Sequence, residues 1–151
     1  MTARGPVLAL DYGTKRIGIA VSDPERAFAF PAGELERRGE RRDLDALRQV
    51  AVERGAVQLV VGLPLHMSGR PGPEAEAARS FAAKVADATG LPVELLDERW
   101  TSQEAERALR QVQPRRRKRE TARLDAAAAA ILLRTWLERD RLRELEREPT
   151  R

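Results

Sequence analysis

The chain has no cysteine, a single histidine, three lysines and only six aromatic residues among its 151 positions. Without cysteine there is no thiol nucleophile, no cysteine-ligated zinc, no iron–sulfur cluster and no disulfide, a pattern that suits a reducing compartment. One histidine, His66, excludes a cluster of histidine ligands. Three Phe, two Trp and one Tyr leave few faces on which bases could stack, so single-strand readout by aromatic stacking is not expected. No apolar run approaches the roughly 20 residues of a membrane span, and the amino terminus does not read as a signal peptide. The expectation is a soluble, cytoplasmic domain with no membrane partner. A chain of this length buries about 70% of its extended surface on folding and needs no covalent staples.

What the chain does have is arginine. Lys15, Lys84 and Lys118 are the only lysines beside 25 arginines, and the 28 bases exceed the 24 acids by four. The excess is local. Residues 113–123 hold Arg115, Arg116, Arg117, Lys118, Arg119 and Arg123 against Glu120 alone, and the rest of the chain is close to neutral. A like-charge run reads as a solvated, mobile segment. Placed directly before Asp125, it also reads as an arm that clamps a polyanion through salt-sensitive phosphate contacts.

Hydrophobic patterning predicts strands and helices in alternation. Val7–Leu10 is unbroken apolar sequence ending in Asp11, as expected of a strand buried on both faces. Tyr12–Arg16 is a Gly-containing turn and Ile17–Val21 a second strand, together an antiparallel hairpin. A third strand over Phe28–Leu35 contains Pro31, which cannot donate a ladder bond and points to an edge. Leu44, Leu47, Val50 and Ala51 recur at helical spacing before Gly55. Val57–Val61 is a fourth strand, Pro73 opens a helix to about Ala88, and Val93–Leu96 is a fifth strand leading into Asp97 and Glu98. Thr101 with Glu104 has capping-box spacing and predicts a further helix, and Leu124–Leu137 is the clearest helix of all. The fold class is therefore α/β: a mixed five-stranded sheet, antiparallel through β1-β2-β3 and then parallel through β4 and β5, with helices on both faces. The expected domain is 1–138, followed by a charged tail, 139–151.

With thiols and histidine clusters excluded, the catalytic currency is carboxylate. Asp11 ends one apolar strand, Asp97 and Glu98 end another, and Asp125 stands at the head of an alanine-rich helix able to approach a sheet closely. Acids gathered at one sheet edge repel unless a hard divalent cation neutralises them, and Mg²⁺ or Mn²⁺ bound by oxygen ligands does so. Alternation puts Asp97 and Glu98 on opposite faces of a sheet covered on both, so parity alone does not choose between them.

Asp11-Tyr12-Gly13-Thr14-Lys15-Arg16-Ile17-Gly18-Ile19-Ala20 resembles the opening motif of the YqgF/RuvX family of ribonuclease-H-like nucleases. Val61-Gly62-Leu63-Pro64-Leu65 with Ser68-Gly69, then Asp97-Glu98-Arg99-Trp100-Thr101-Ser102, then Leu124-Asp125 and its alanines, resemble the family's next three motifs, in the family's order. The resemblance implies a ribonuclease-H-like fold and metal-dependent phosphodiester cleavage, either maturing the 5′ end of 16S rRNA or resolving Holliday junctions. It implies catalytic acids and metal ligands at Asp11, Glu98 and Asp125, holding one or two ions of Mg²⁺ or Mn²⁺. Two positions depart from the pattern, His66 for the usual asparagine and Trp100 for leucine. Ala128 stands where related nucleases often carry a fourth acid, which implies a thinner ligand set for a second ion.

Supporting roles follow from placement. Lys15 and Arg16 flank Asp11 and can contact a phosphate, Arg99 can offset charge on the reacting phosphate, and His66 can touch substrate. Arg115, Arg116, Arg117, Lys118 and Arg119 form the clamp. The expected partner is nucleic acid, an RNA precursor before branched DNA, with the chain a monomer or weak homodimer. A resolvase requires two active sites and hence a dimer. A non-catalytic nucleic-acid-binding factor is the alternative from another class, discriminated by binding without cleavage. An actin-like ATPase or sugar kinase, whose opening motif also reads Asp-x-Gly-Thr, needs two such domains, and 151 residues supply one.

Overall fold

In the computed structural model, residues 4–13, 15–63, 72–97 and 117–147 are described, with the side chains of 63, 74 and 117–125 left out. Five strands, β1 (Val7–Tyr12), β2 (Arg16–Ser22), β3 (Ala29–Glu36), β4 (Gln58–Leu63) and β5 (Val93–Asp97), form one sheet in the order β3-β2-β1-β4-β5. The β1–β2 and β2–β3 pairs are antiparallel, and β1–β4 and β4–β5 are parallel. This is the mixed sheet predicted from patterning, with the Pro31 strand at an edge. Pro31 lies opposite Ala20, where the register shifts after Gly18.

Alternation along the central strands divides the core in two. Leu8 and Leu10 of β1 join Ile17, Ile19, Leu59 and Val61 in facing Leu47 and Ala51 of α1 (Glu40–Glu53) and Phe81, Ala82 and Val85 of α2 (Pro73–Thr89). Val7 and Ala9 turn the other way, with Ala20, Val60 and Leu96, onto α3 (Arg117–Arg147). Both faces of β1 are thus sealed, Val7 to Leu10 being fully buried, which is why its sequence lacks polar alternation. On α3 the contact stripe is Ala129, Ala130, Leu132, Leu133, Trp136 and Leu137, at three- and four-residue spacing, with Ala126 buried one turn earlier. Its alanines bring the helix backbone near the sheet.

Polar contacts orient α3. Arg26, in the β2–β3 turn, donates from Nε to the Gly5 carbonyl (3.1 Å) and from Nη1 to Asp140 Oδ2 (3.4 Å). Arg4 pairs with Glu144. Trp136 Nε1 donates to Glu94 of β5 at 2.7 Å. These contacts hold the carboxyl half of α3 at the end of the sheet where β1 begins, so its amino half lies toward the end where β1, β4 and β5 finish.

Two expectations change. The basic stretch read as a mobile arm is helical from Arg117 onward, because its residues continue the turns that the alanine stripe anchors. The charged tail expected after 138 is helical as far as Arg147, where α3 ends, with Asp140 paired to Arg26 and Glu144 to Arg4. The helix expected at Thr101 falls outside the described residues.

Candidate active site

Asp11 is the fifth of six residues in β1 and shares the face of Val7 and Ala9, the face that α3 covers. It is half-buried, at the carboxyl edge of the central strand. Its antiparallel partner is Gly18 of β2, and one step past the parallel pair Leu10–Val61 stands Gly62 of β4. A glycine on either neighbouring strand puts no side chain directly beside the carboxylate within the described sheet. Among the described residues no side chain pairs with it.

Along β5, Glu94 near its start bonds Trp136 and Leu96 near its end packs in the α3 core, so residues 94 and 96 share the face of Asp11. Val93 packs in the opposite core, and Asp97, two pairs further in the alternation, belongs to that opposite face. Position 125 is a helical residue of α3, one turn before Ala129 and two before Leu132, both fully buried against the sheet.

The β1–β2 turn closes with a bond from the Gly13 amide to the Arg16 carbonyl, 3.0 Å. A Cβ at Gly13 would sit 2.6 Å from that carbonyl oxygen, so the turn requires glycine. Lys15 is exposed and Arg16 begins β2, both at the edge that carries Asp11.

Of the site residues expected from sequence, Asp11, Lys15 and Arg16 are therefore brought together. Arg117, Lys118, Arg119 and Asp125 are placed as backbone positions of α3 only. His66, Glu98, Arg99, Arg115 and Arg116 lie outside the described residues. Among the described residues no three His, Cys, Asp or Glu side chains form a metal-binding group. None of the helices among them is long and apolar enough to cross a membrane.

Sequence reading passed over Arg37, which bonds the same turn, and Asp43, which pairs with Arg37. Asp43 is 4% exposed on α1; its Oδ1 accepts the Arg38 amide (2.9 Å) and its Oδ2 lies 3.9 Å from Arg37 Nε. In sequence, the first-turn acid and the Arg-Arg pair have the pattern of a solvated charged face, and only the burial of Asp43 separates them from one. Elsewhere, the Asp23 carboxyl in the β2–β3 turn is held below its ordinary range, chiefly by the Phe28 amide that it accepts at 2.7 Å and also by the Ala27 amide.

The sheet order, the acid at the central strand tip and the long helix over one face define a ribonuclease-H-like fold of the RuvC type. The chain superposes on Thermus thermophilus RuvC in complex with a Holliday junction substrate with a TM-score of 0.57 at 15% identity, covering 91% of this chain and 96% of that one. A second Thermus thermophilus RuvC structure gives 0.53 at 15% identity, covering 84% and 92%. Residues 5–139 match the RuvX family, described as Holliday junction resolvase, and the chain belongs to that family. A protein of Koribacter versatilis (strain Ellin345) named "Putative pre-16S rRNA nuclease" is 44% identical over 144 residues, 95% of this chain and 92% of its own length. One of the same name from Anaeromyxobacter dehalogenans (strain 2CP-C) is 45% identical over 132 residues, 87% and 96%.

Proposed function

We propose that the chain is a metal-dependent endonuclease that hydrolyses phosphodiester bonds of structured RNA, its task the 5′-end maturation of pre-16S rRNA in the cytoplasm. The observation that carries this reading is Asp11, a half-buried carboxylate with no side-chain partner among the described residues, between two glycines on the face that α3 covers. Helical rise supports a convergence there. The fifteen residues from 125 to 140 span about 22 Å of helix, and the six steps from Gly5 to Asp11 span about 20 Å of strand. With Asp140 held beside Gly5 through Arg26, position 125 comes level with Asp11.

Asp11, Glu98 and Asp125 form an oxygen-only donor set suited to Mg²⁺ or Mn²⁺. Such an ion, when bound, polarises the phosphodiester and lowers the pKa of a coordinated water. The chain's own residues do the rest. Asp97 belongs to the wrong face, so the carboxylate from the end of β5 comes from the next residue, Glu98. Lys15 and Arg16 bind phosphates flanking the scissile bond. Arg117, Lys118 and Arg119, on the first turns of α3, bind the backbone further along, where the helix dipole also favours a polyanion. His66, Arg99, Arg115 and Arg116 complete the substrate contacts.

The test is cleavage of an RNA precursor and a four-way DNA junction by the purified chain with Mg²⁺ or Mn²⁺, beside Asp11→Asn. Metal-dependent RNA cleavage lost in the variant supports the reading, and equal cleavage by the variant overturns the site. The family description favours a second reading, resolution of branched DNA, which predicts preferred junction cleavage by a dimer in sedimentation. Tight RNA binding with no cleavage under either metal would instead mark a non-catalytic factor.

A further inference from the structure

Arg37 follows β3 in the chain yet grips the turn that follows Asp11 at two points. Its amide donates to the Lys15 carbonyl (2.9 Å), and its Nη1 donates to the Gly13 carbonyl (3.1 Å). The guanidinium carbon stands 4.5 Å from the ring centroid of Tyr12, the residue between Asp11 and Gly13. Phe81 of α2 stacks on the same ring, centroids 4.2 Å apart and 18° from parallel. Two groups this close cannot occupy one face, so Tyr12 is held between Arg37 and α2. Behind the guanidinium, buried Asp43 ties Arg37 Nε and the Arg38 amide to α1. Tyr12, Arg37, Asp43 and Phe81, with Glu40 and Lys84 in an ion pair of 2.6 Å, line a cavity of about 230 Å³ on the side of the sheet away from α3.

We propose that Arg37 is a positioning residue for the nuclease site, and that Asp43 aligns it. It acts through the Gly13–Arg16 turn, setting Lys15 and Arg16 against Asp11 from the opposite face of the sheet. The planar guanidinium suits this task because it stacks with its face while its edge donates to a carbonyl and meets a carboxylate. A lysine ammonium is a point charge that satisfies one of these at a time. The backbone bond to Lys15 does not depend on the side chain, so replacement by Ala or Lys removes the second grip and leaves the first in place. The inference rests on Asp11 belonging to a nuclease site.

The test uses the full chain and the variants Arg37→Ala, Arg37→Lys and Asp43→Asn. Tyr12 is the sole tyrosine, so tyrosine-selective labelling gives one ring to follow by NMR. The Gly13 amide, bonded to Arg16, reports the turn by hydrogen exchange. Arg37→Ala is expected to shift the Tyr12 ring resonances and speed Gly13 exchange by about 10-fold. It should lower kcat/KM on the RNA precursor by about 10–100-fold, the range typical of groups that orient a metal site. Arg37→Lys should recover only part of this, and Asp43→Asn should move the same readouts in the same direction. If Arg37 acts through the turn, its loss on top of Lys15→Ala and Arg16→Ala costs less than the product of the separate effects. Unchanged Tyr12 resonances and Gly13 exchange in Arg37→Ala overturn the grip, and fully multiplicative losses overturn the route through the turn. If the wild-type chain does not cleave, the nuclease reading fails and positioning falls with it. The ring and exchange measurements then still show whether the grip exists.

Discussion

Arg26 Nη1 lies 3.4 Å from Asp140 Oδ2, and this pair, each partner less than one-fifth exposed, joins the β2–β3 turn to the long helix. Arg26 also caps the Gly5 carbonyl and stands 5.6 Å over the Trp136 ring. It does so at φ 61°, in the left-handed region that a side chain normally disfavours. Arg26→Ala is expected to cost about 2 kcal/mol, because it removes a charged hydrogen bond together with a cation–π interaction. Arg26→Gly removes the same interactions but relieves the backbone, where a left-handed residue costs about 1–2 kcal/mol, partly offset by the unfolded-state entropy of glycine. In urea melts the glycine variant should therefore be the more stable of the two, and the reverse order would remove the strain from the account.

Gly13→Ala tests the turn beside Asp11. The new Cβ would meet the Arg16 carbonyl oxygen at 2.6 Å, a backbone atom that cannot step aside as a side chain can. A loss of about 1–3 kcal/mol is expected from the overlap, with rupture of the 3.0 Å Gly13–Arg16 bond. Because Lys15 and Arg16 move with the turn, nuclease activity should fall further than melting temperature suggests. Activity kept at the wild-type level would show that the turn takes no part in the site.

Much of the fold was legible because its signals are local. A strand sealed on both faces needs an unbroken apolar run, as Val7–Leu10 shows, and a proline such as Pro31 confines its strand to an edge. The full length of α3 was not legible. Its apolar stripe ends near Leu137, and the acids that anchor the rest, Asp140 and Glu144, find Arg26 and Arg4 more than a hundred residues away. The same holds for Arg37, whose partners lie on the turn at Gly13 and on α1 at Asp43. The glycines that flank Asp11 became meaningful only once register set Gly18 and Gly62 beside it.

Asp23 gives a pH signature remote from the site. Its carboxylate accepts the Phe28 and Ala27 amides, and the first of these contributes most to holding its pKa below 3.8. A carboxyl lowered in the folded state stabilises that state above its unfolded pKa, near 3.9. The contribution disappears as pH falls through the lowered folded value. Asp23→Asn removes the charge while keeping an oxygen at that position. The difference in urea midpoint between wild type and variant should be largest near neutrality and shrink below about pH 4. A difference that grows on acidification would contradict the assignment.

Asp97 ends β5 and Glu98 follows it in sequence, and the two carboxylates separate the alternation argument from simple proximity. Trp136 holds Glu94 on the α3 side and Leu96 packs there, while Val93 belongs to the other core. Asp97 therefore follows Val93, away from Asp11, and the proposed function accordingly assigns the ligand role to Glu98. Glu98→Gln is expected to cut metal-dependent cleavage by more than the roughly 10–100-fold that loss of a supporting group brings, matching Asp11→Asn. Asp97→Asn should leave cleavage within about 10-fold of wild type, with any loss traceable to stability in a parallel urea melt. If Asp97→Asn is the silencing change and Glu98→Gln is mild, β5 delivers its acid from the opposite face, and the site must be rebuilt around Asp97.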